Sequence, residues 1–215
     1  MGGDHYFTST PESSFRPKSI SVMLAGATRN LTTAGGVFSP DRLDQGTQVL
    51  LDYVPEPPAT GNILDLGCGW GPIGLTAALE SPESTVWAVD VNDRARELVR
   101  LNADAVGVTN IRTARPEDVP DDIRFSAIWS NPPIRVGKKV LHDMLLSWLP
   151  RLEQGSDAYL VVQRNLGSDS LHRWLEDELP ANFCVSRTAT SKGYRLLRVR
   201  SGSAQNSVVS HSVTE

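Results

Sequence analysis

The chain has 215 residues, 40 % hydrophobic and 21 % charged, the balance of a soluble globular protein with room for one sizeable core. Its two cysteines, Cys68 and Cys184, lie too far apart for a zinc pattern and build no disulfide framework, so a reducing compartment and no metal are expected. The net charge of −4 argues against non-specific duplex DNA binding, yet it is uneven: residues 1–123 carry 9 Lys+Arg against 17 Asp+Glu, and residues 124–200 carry 12 against 7. A basic face in the second half can therefore meet phosphates, or simply solvate the surface.

The first 15 residues are polar and Pro/Ser-rich and read as loosely ordered. They hold no apolar run suited to a signal peptide, and nothing later reaches membrane-spanning length, so a cytoplasmic protein without membrane contact is expected. Ile20–Leu24 and Arg29–Thr33 alternate as a hairpin around Ala25–Thr28, and Asp41–Tyr53 has the apolar spacing of a short helix. Val54–Gly61, rich in proline, breaks the pattern. Residues 1–60 thus read as a β/α extension packed on a core domain at 61–200.

From there strands and helices alternate: strand Asn62–Leu66, helix Pro72–Glu80, strand Thr85–Asp90, helix Asp93–Ala105, strand Asn110–Ala114. Strand Phe125–Ser130, helix Val140–Leu149, strand Ala158–Gln163 and helix Ser168–Leu179 follow, and strands Phe183–Thr190 and Tyr194–Arg200 close the domain around a tight turn. Such alternation predicts a mostly parallel, doubly wound α/β sheet, and the turn makes the last strand pair antiparallel. Residues 201–215 are small and polar and are expected to be a disordered tail.

Glycines 67, 69, 71 and 74 fill the turn between the first core strand and its helix, with Pro72 in the first helical turn. Gly69, Gly71 and Gly74 make a literal GxGxxG, a weak sign of a dinucleotide when it stands alone. Three features turn the reading away from a pyrophosphate. Asp65 precedes the loop, the match begins two residues past the strand end, and acids stand at the next strand ends, as Asp90 and as Glu117 with Asp118. S-adenosylmethionine has a sulfonium, an ammonium, a ribose diol and an adenine amine but no phosphate, and carboxylates suit these groups. Gly67 and Gly69 would wrap the methionine portion, with Asp65 supporting the loop. Asp90 would accept from the ribose, and Glu117 or Asp118 from the adenine amine, unless that pair is only an acidic loop.

The strand Phe125–Ser130 runs into Asn131, Pro132, Pro133 and Ile134. An amide at the carboxyl end of a central strand faces the crevice where such folds bind ligands, and the prolines fix the backbone and withhold donors. The Asn131 side-chain oxygen and the Pro132 carbonyl can hold the two hydrogens of a planar amine, turning its lone pair toward a sulfonium methyl. Alignment and fixed dipoles would supply most of the rate.

Together HYF (5–7), GVFSPDRLDQGTQVLL (36–51), ILDLGCGWGPIG (63–74), AVDVN (88–92), WSNPPIR (129–135) and KGYRLLRV (192–199) resemble the small-domain methyltransferase family, within it the bacterial 16S ribosomal RNA guanine-N2 enzymes. The resemblance implies a Rossmann-like class I fold with a seven-stranded sheet and S-adenosyl-L-methionine as cofactor. It implies cofactor contacts at Asp65, Gly67, Gly69, Asp90, Asn92 and Asn131, a wall including Phe38 and Thr47, and a grip on the target amine by Asn131 and Pro132. Ribosomal RNA becomes the expected partner, with Arg135, Lys138 and Lys139 near the motif for phosphates. Two departures stand out. Family members of the ribosomal type often carry two methyltransferase-like halves where this chain has one, and Ile134 takes the place of the usual aromatic after the prolines. Trp129 or Trp70 could supply the missing face, but both read better as core or loop packing. Protein glutamine-N5 or adenine-N6 methylation, or a non-catalytic cofactor-binding factor that associates with RNA, are the alternatives.

Overall fold

A computed structural model describes residues 15–202. The expected loose start up to residue 14, with HYF, and positions 203–215 of the expected tail lie outside the described residues. The tail begins later than expected: Ser201 still pairs with Phe183, and the Gly202 N–H donates to the Asn182 carbonyl at 2.7 Å.

Strands β1 (Pro17–Leu24) and β2 (Ala27–Ala34) form an antiparallel hairpin. Ala25 and Gly26 both have positive φ, 46° and 71°, which matches the twist of a two-residue hairpin turn, so the turn is tighter than the sequence suggested. The alternating residues Val22, Leu24 and Leu31 bury against Trp70, Leu75 and Leu98 of the core. Asn102, fully buried on helix α3 (Asp93–Val106), stitches the hairpin down: its amide bonds the Thr32 carbonyl at 2.9 Å and its oxygen takes the Thr32 N–H at 2.6 Å.

Helix α1 (Gln45–Tyr53) starts four residues later than its apolar spacing suggests, because the Asp44 side chain caps it, accepting from the Gly46 and Thr47 N–H groups. The core sheet contains β3 (Gly61–Leu66), β4 (Ser84–Val89), β5 (Ile111–Ala114), β6 (Phe125–Ser130), β7 (Leu152–Gln163), β8 (Phe183–Ser191) and β9 (Tyr194–Ser201). Their order is β5-β4-β3-β6-β7-β9-β8, parallel except for β9, which runs antiparallel between β7 and β8. Strand β7 begins at Leu152, not Ala158. Its first half is the polar run Glu153–Asp157, and the register with β6 shifts between Phe125 and Ala127, so apolar patterning does not mark it.

Helices α2 (Pro72–Glu80), α3, α4 (Lys138–Trp148) and α5 (Ser168–Glu178) connect the strands. Chain order reverses between β3 and β6, and a parallel sheet opens its ligand crevice at the carboxyl ends of the strands at such a point. The glycine loop follows one of these two strands and Asn131 the other. The Ser130 hydroxyl donates to the Leu66 carbonyl at 2.7 Å and locks the two strand ends together.

Candidate active site

The glycine loop is held from behind. Asp65, 1 % exposed, accepts from the Gly74 N–H at 2.8 Å. A Cβ on Gly74 would stand 3.0 Å from that same carboxylate oxygen, so the third glycine of the literal GxGxxG serves a close approach to Asp65. Burial, and secondarily the Asp90 charge, push the Asp65 pKa up to about 7 against the lowering effect of the Gly74 donor. Among the described residues its other oxygen, Oδ1, has no hydrogen-bond partner.

The loop presents backbone to the crevice. Gly67 and Gly69 have φ of 79° and 54°, and a Cβ on either would meet no atom of the described residues within 4 Å. Both line the cavity, so a Cβ there would take up cavity space. Asp90 stands beside them, one oxygen accepting from the Gly69 N–H at 3.0 Å and the other from the Asn92 N–H at 2.9 Å. Burial raises its pKa, opposed by these N–H groups and by the Arg96 charge. Asn92 also lines the cavity, with its side chain committed: the oxygen caps α3 and the amide donates to the Gly36 carbonyl at 2.7 Å.

The turn after β6 is fixed from the other side. Asn131 Nδ2 donates to Asp44 Oδ2 at 2.8 Å and to Thr47 Oγ1 at 3.0 Å. A carboxylate only accepts, so the amide must turn its nitrogen to Asp44, leaving Oδ1 as the acceptor. Thr47 is buried behind Asn131 and is not part of the cavity wall, whereas Phe38 is.

The two halves face one cavity of about 1030 Å³, walled by Gly67, Gly69, Asp90 and Asn92 and by Asn131–Val136. The cavity wall also includes the exposed apolar side chains Phe38, Val91, Val140 and Leu166. Glu117 and Asp118 are exposed in a short 3-10 turn and do not line it; their neighbours Pro116 and Asp121 do. Trp70 and Trp129, 2 % and 1 % exposed, are core residues that no ligand can reach. Arg135 lines the cavity, Lys138 is exposed, and Lys139 pairs with Asp143 on α4. Sequence reading missed three residues here: Asp44, Tyr194 and Gln163. The LDQGT segment around Asp44 carried the one available signal, a capping acid followed by a glycine that no turn requires.

The family model of the methyltransferase small domain matches residues 28–198, and the chain belongs to that family of S-adenosylmethionine-dependent methyltransferases. It is 34 % identical to the uncharacterized protein YbxB of Bacillus subtilis over 92 % of this chain and 98 % of that one. It is 33 % identical to ribosomal RNA small subunit methyltransferase C of Hahella chejuensis over 80 % of this chain and 50 % of that one. The chain thus spans half or less of the length of the small-subunit methyltransferases it matches. The Thermus thermophilus 16S rRNA N2 guanine methyltransferase (RsmC), solved in complex with AdoMet and guanosine, shares the fold with a TM-score of 0.73 at 23 % identity, over 88 % of this chain and 52 % of that one. Among the described residues no helix is long and apolar enough to cross a membrane, and no cluster of His, Cys, Asp or Glu is built to hold a metal.

Proposed function

We propose that the chain methylates the exocyclic amine of guanine in ribosomal RNA, in the cytosol, with Asn131 and Pro132 as the groups that hold the amine. The observation carrying the reading is the fixed Asn131 amide: both of its hydrogens are taken by Asp44 and Thr47, so its oxygen is a preset acceptor on the cavity wall. The small-subunit relatives supply the substrate class.

The residues suit S-adenosylmethionine. The space that a Cβ on Gly67 or Gly69 would fill, and the Asp90 carboxylate beside it, fit the methionine portion and the ribose hydroxyls. Asp65 keeps the loop in place from behind. Asp121 is the acid on the wall near Pro116, where Glu117 and Asp118 are absent. When bound, the cofactor supplies an electrophilic methyl on a cationic sulfur.

An exocyclic amine has its lone pair delocalised into the ring, and two acceptors on its hydrogens favour the pyramidal form. Asn131 Oδ1 and the Pro132 carbonyl provide them. Positive charge develops on the nitrogen as it is methylated, the Asp44 carboxylate, 2.8 Å behind the amide, polarises Asn131 to stabilise it, and the methylated amine then gives up one proton to water. Pro133 keeps the turn stiff, and Ile134 covers part of the wall. Arg135 and Lys138 are exposed beside this turn, which suits contact with phosphates.

Methyl transfer from labelled cofactor to small ribosomal subunits, or to their RNA, tests this. Asn131→Ala is expected to lower the rate by about 100- to 1000-fold, the range for losing one preorganised polar group, with cofactor affinity largely kept. Label appearing only in protein, or an Asn131→Ala variant at full activity, refutes the proposal.

A further inference from the structure

An in-plane grip on an amine fixes one edge of a base and leaves its faces unsupported. Splayed RNA bases are held by stacking on aromatic rings, and here the residue after the prolines is Ile134. Among the described residues three aromatics line the cavity: Phe38, Trp148 and Tyr194. Trp148 is 4 % exposed and already covered by the Arg151 guanidinium, 4.6 Å from its ring centre. Phe38 lies on the glycine-loop side, next to Ser39, whose carbonyl takes the Trp70 indole N–H.

Tyr194 lies by the amine grip. It opens β9 at the crevice end of the sheet, directly opposite Gln163 of β7, and both line the cavity. Its ring packs on the first turn of α1, so closely that a Cβ on Gly46 would stand 2.8 Å from Tyr194 Cε1. Three neighbouring positions therefore seat both groups: Asp44 and Thr47 hold the Asn131 amide, and Gly46 receives the Tyr194 ring. Glycine inside a helix costs about 1 kcal/mol against alanine, and this contact explains its presence. Burial, and secondarily the Asp44 charge, raise the pKa of the phenol, opposed by the Arg135 charge.

We propose that the Tyr194 ring is the face on which the target base rests while Asn131 holds its amine, the role Ile134 does not fill. The Gln163 amide, across the β7–β9 register, is placed to bond the edge of that base. This assignment rests on the RNA reading above.

Single-turnover methyl transfer to small-subunit RNA tests it with wild type, Tyr194→Phe and Tyr194→Ala, alongside cofactor affinity by calorimetry. Tyr194→Phe keeps the ring and is expected within about threefold of wild type. Tyr194→Ala is expected to lose about 5- to 150-fold in kcat/KM, the span of one base–aromatic stack, with cofactor affinity unchanged within twofold. The assignment is overturned by Tyr194→Ala activity within twofold of wild type, by a Tyr194→Phe loss as deep as that of alanine, or by a parallel loss of cofactor binding. A wild-type protein that transfers no methyl to RNA overturns the RNA reading itself, and this assignment with it.

Discussion

Replacing Asp44 separates its two tasks, capping α1 and orienting Asn131. Its Oδ2 accepts from Gly46 N at 2.7 Å, from Thr47 N at 3.1 Å and from Asn131 Nδ2 at 2.8 Å. Asparagine caps a helix about as well as aspartate, so Asp44→Asn keeps the fold. It exchanges a charge-assisted acceptor for a neutral one of about half the strength, a loss on the order of 1 kcal/mol at the Asn131 bond. If that loss falls on the transition state, kcat drops about fivefold. Asp44→Ala removes the bond and the cap together. Only Thr47 then restrains the amide, which can turn its nitrogen into the cavity, and kcat is expected to fall about 10- to 100-fold. The lost cap costs about 1 kcal/mol, or about 2–4 °C in Tm for a chain of this size. Single-turnover transfer with saturating cofactor, calorimetry and thermal melts read the three quantities separately. An Asp44→Ala protein with wild-type kcat would show that the Asn131 orientation is set elsewhere.

The remaining predictions concern the glycine loop. Asp65 titrates near 7 in the native state, against about 3.9 when unfolded, so the native protein keeps a proton that the unfolded chain releases between those values. Stability of the free protein therefore falls as pH rises from about 4 to 7, by an amount on the order of 2–4 kcal/mol, and Asp65→Asn removes this slope. Urea melts at pH 5 and pH 8 should show the variant gaining on wild type at the higher pH; parallel shifts would exclude a raised Asp65. Gly67→Ala puts a methyl into open cavity space at a φ of 79°. It is expected to cost about 1–2 kcal/mol in stability but at least about tenfold in cofactor affinity, whereas unchanged affinity would move the cofactor away from this loop.

Helix α2 and strand β6 were legible to the residue, because Pro72 marks the start of one and the largely apolar run ending at Asn131-Pro132 marks the other. The glycine loop and the Asn131 turn were legible for a related reason: each sits at a strand end, where period and breaker residues agree. The start of β7 was not, since Glu153–Asp157 are polar on a strand whose register is disturbed. Glu117 and Asp118 drew attention as acids after β5, but sequence does not show that their turn leaves them outside the cavity while Asp121 comes to it. Asp44 and Tyr194 escaped because their meaning lies in contacts across 87 positions for the Asp44–Asn131 pair, and across β9 for the ring on Gly46. Only the folded chain brings positions 44, 46, 131 and 194 together.

Mass spectrometry of nucleosides from small-subunit RNA, incubated with this protein and isotopically labelled S-adenosylmethionine, addresses the central claim most directly. Labelled N2-methylguanosine that disappears with Asn131→Ala is the expected result. Label on another nucleoside, or none in RNA and some on a protein glutamine, would contradict it.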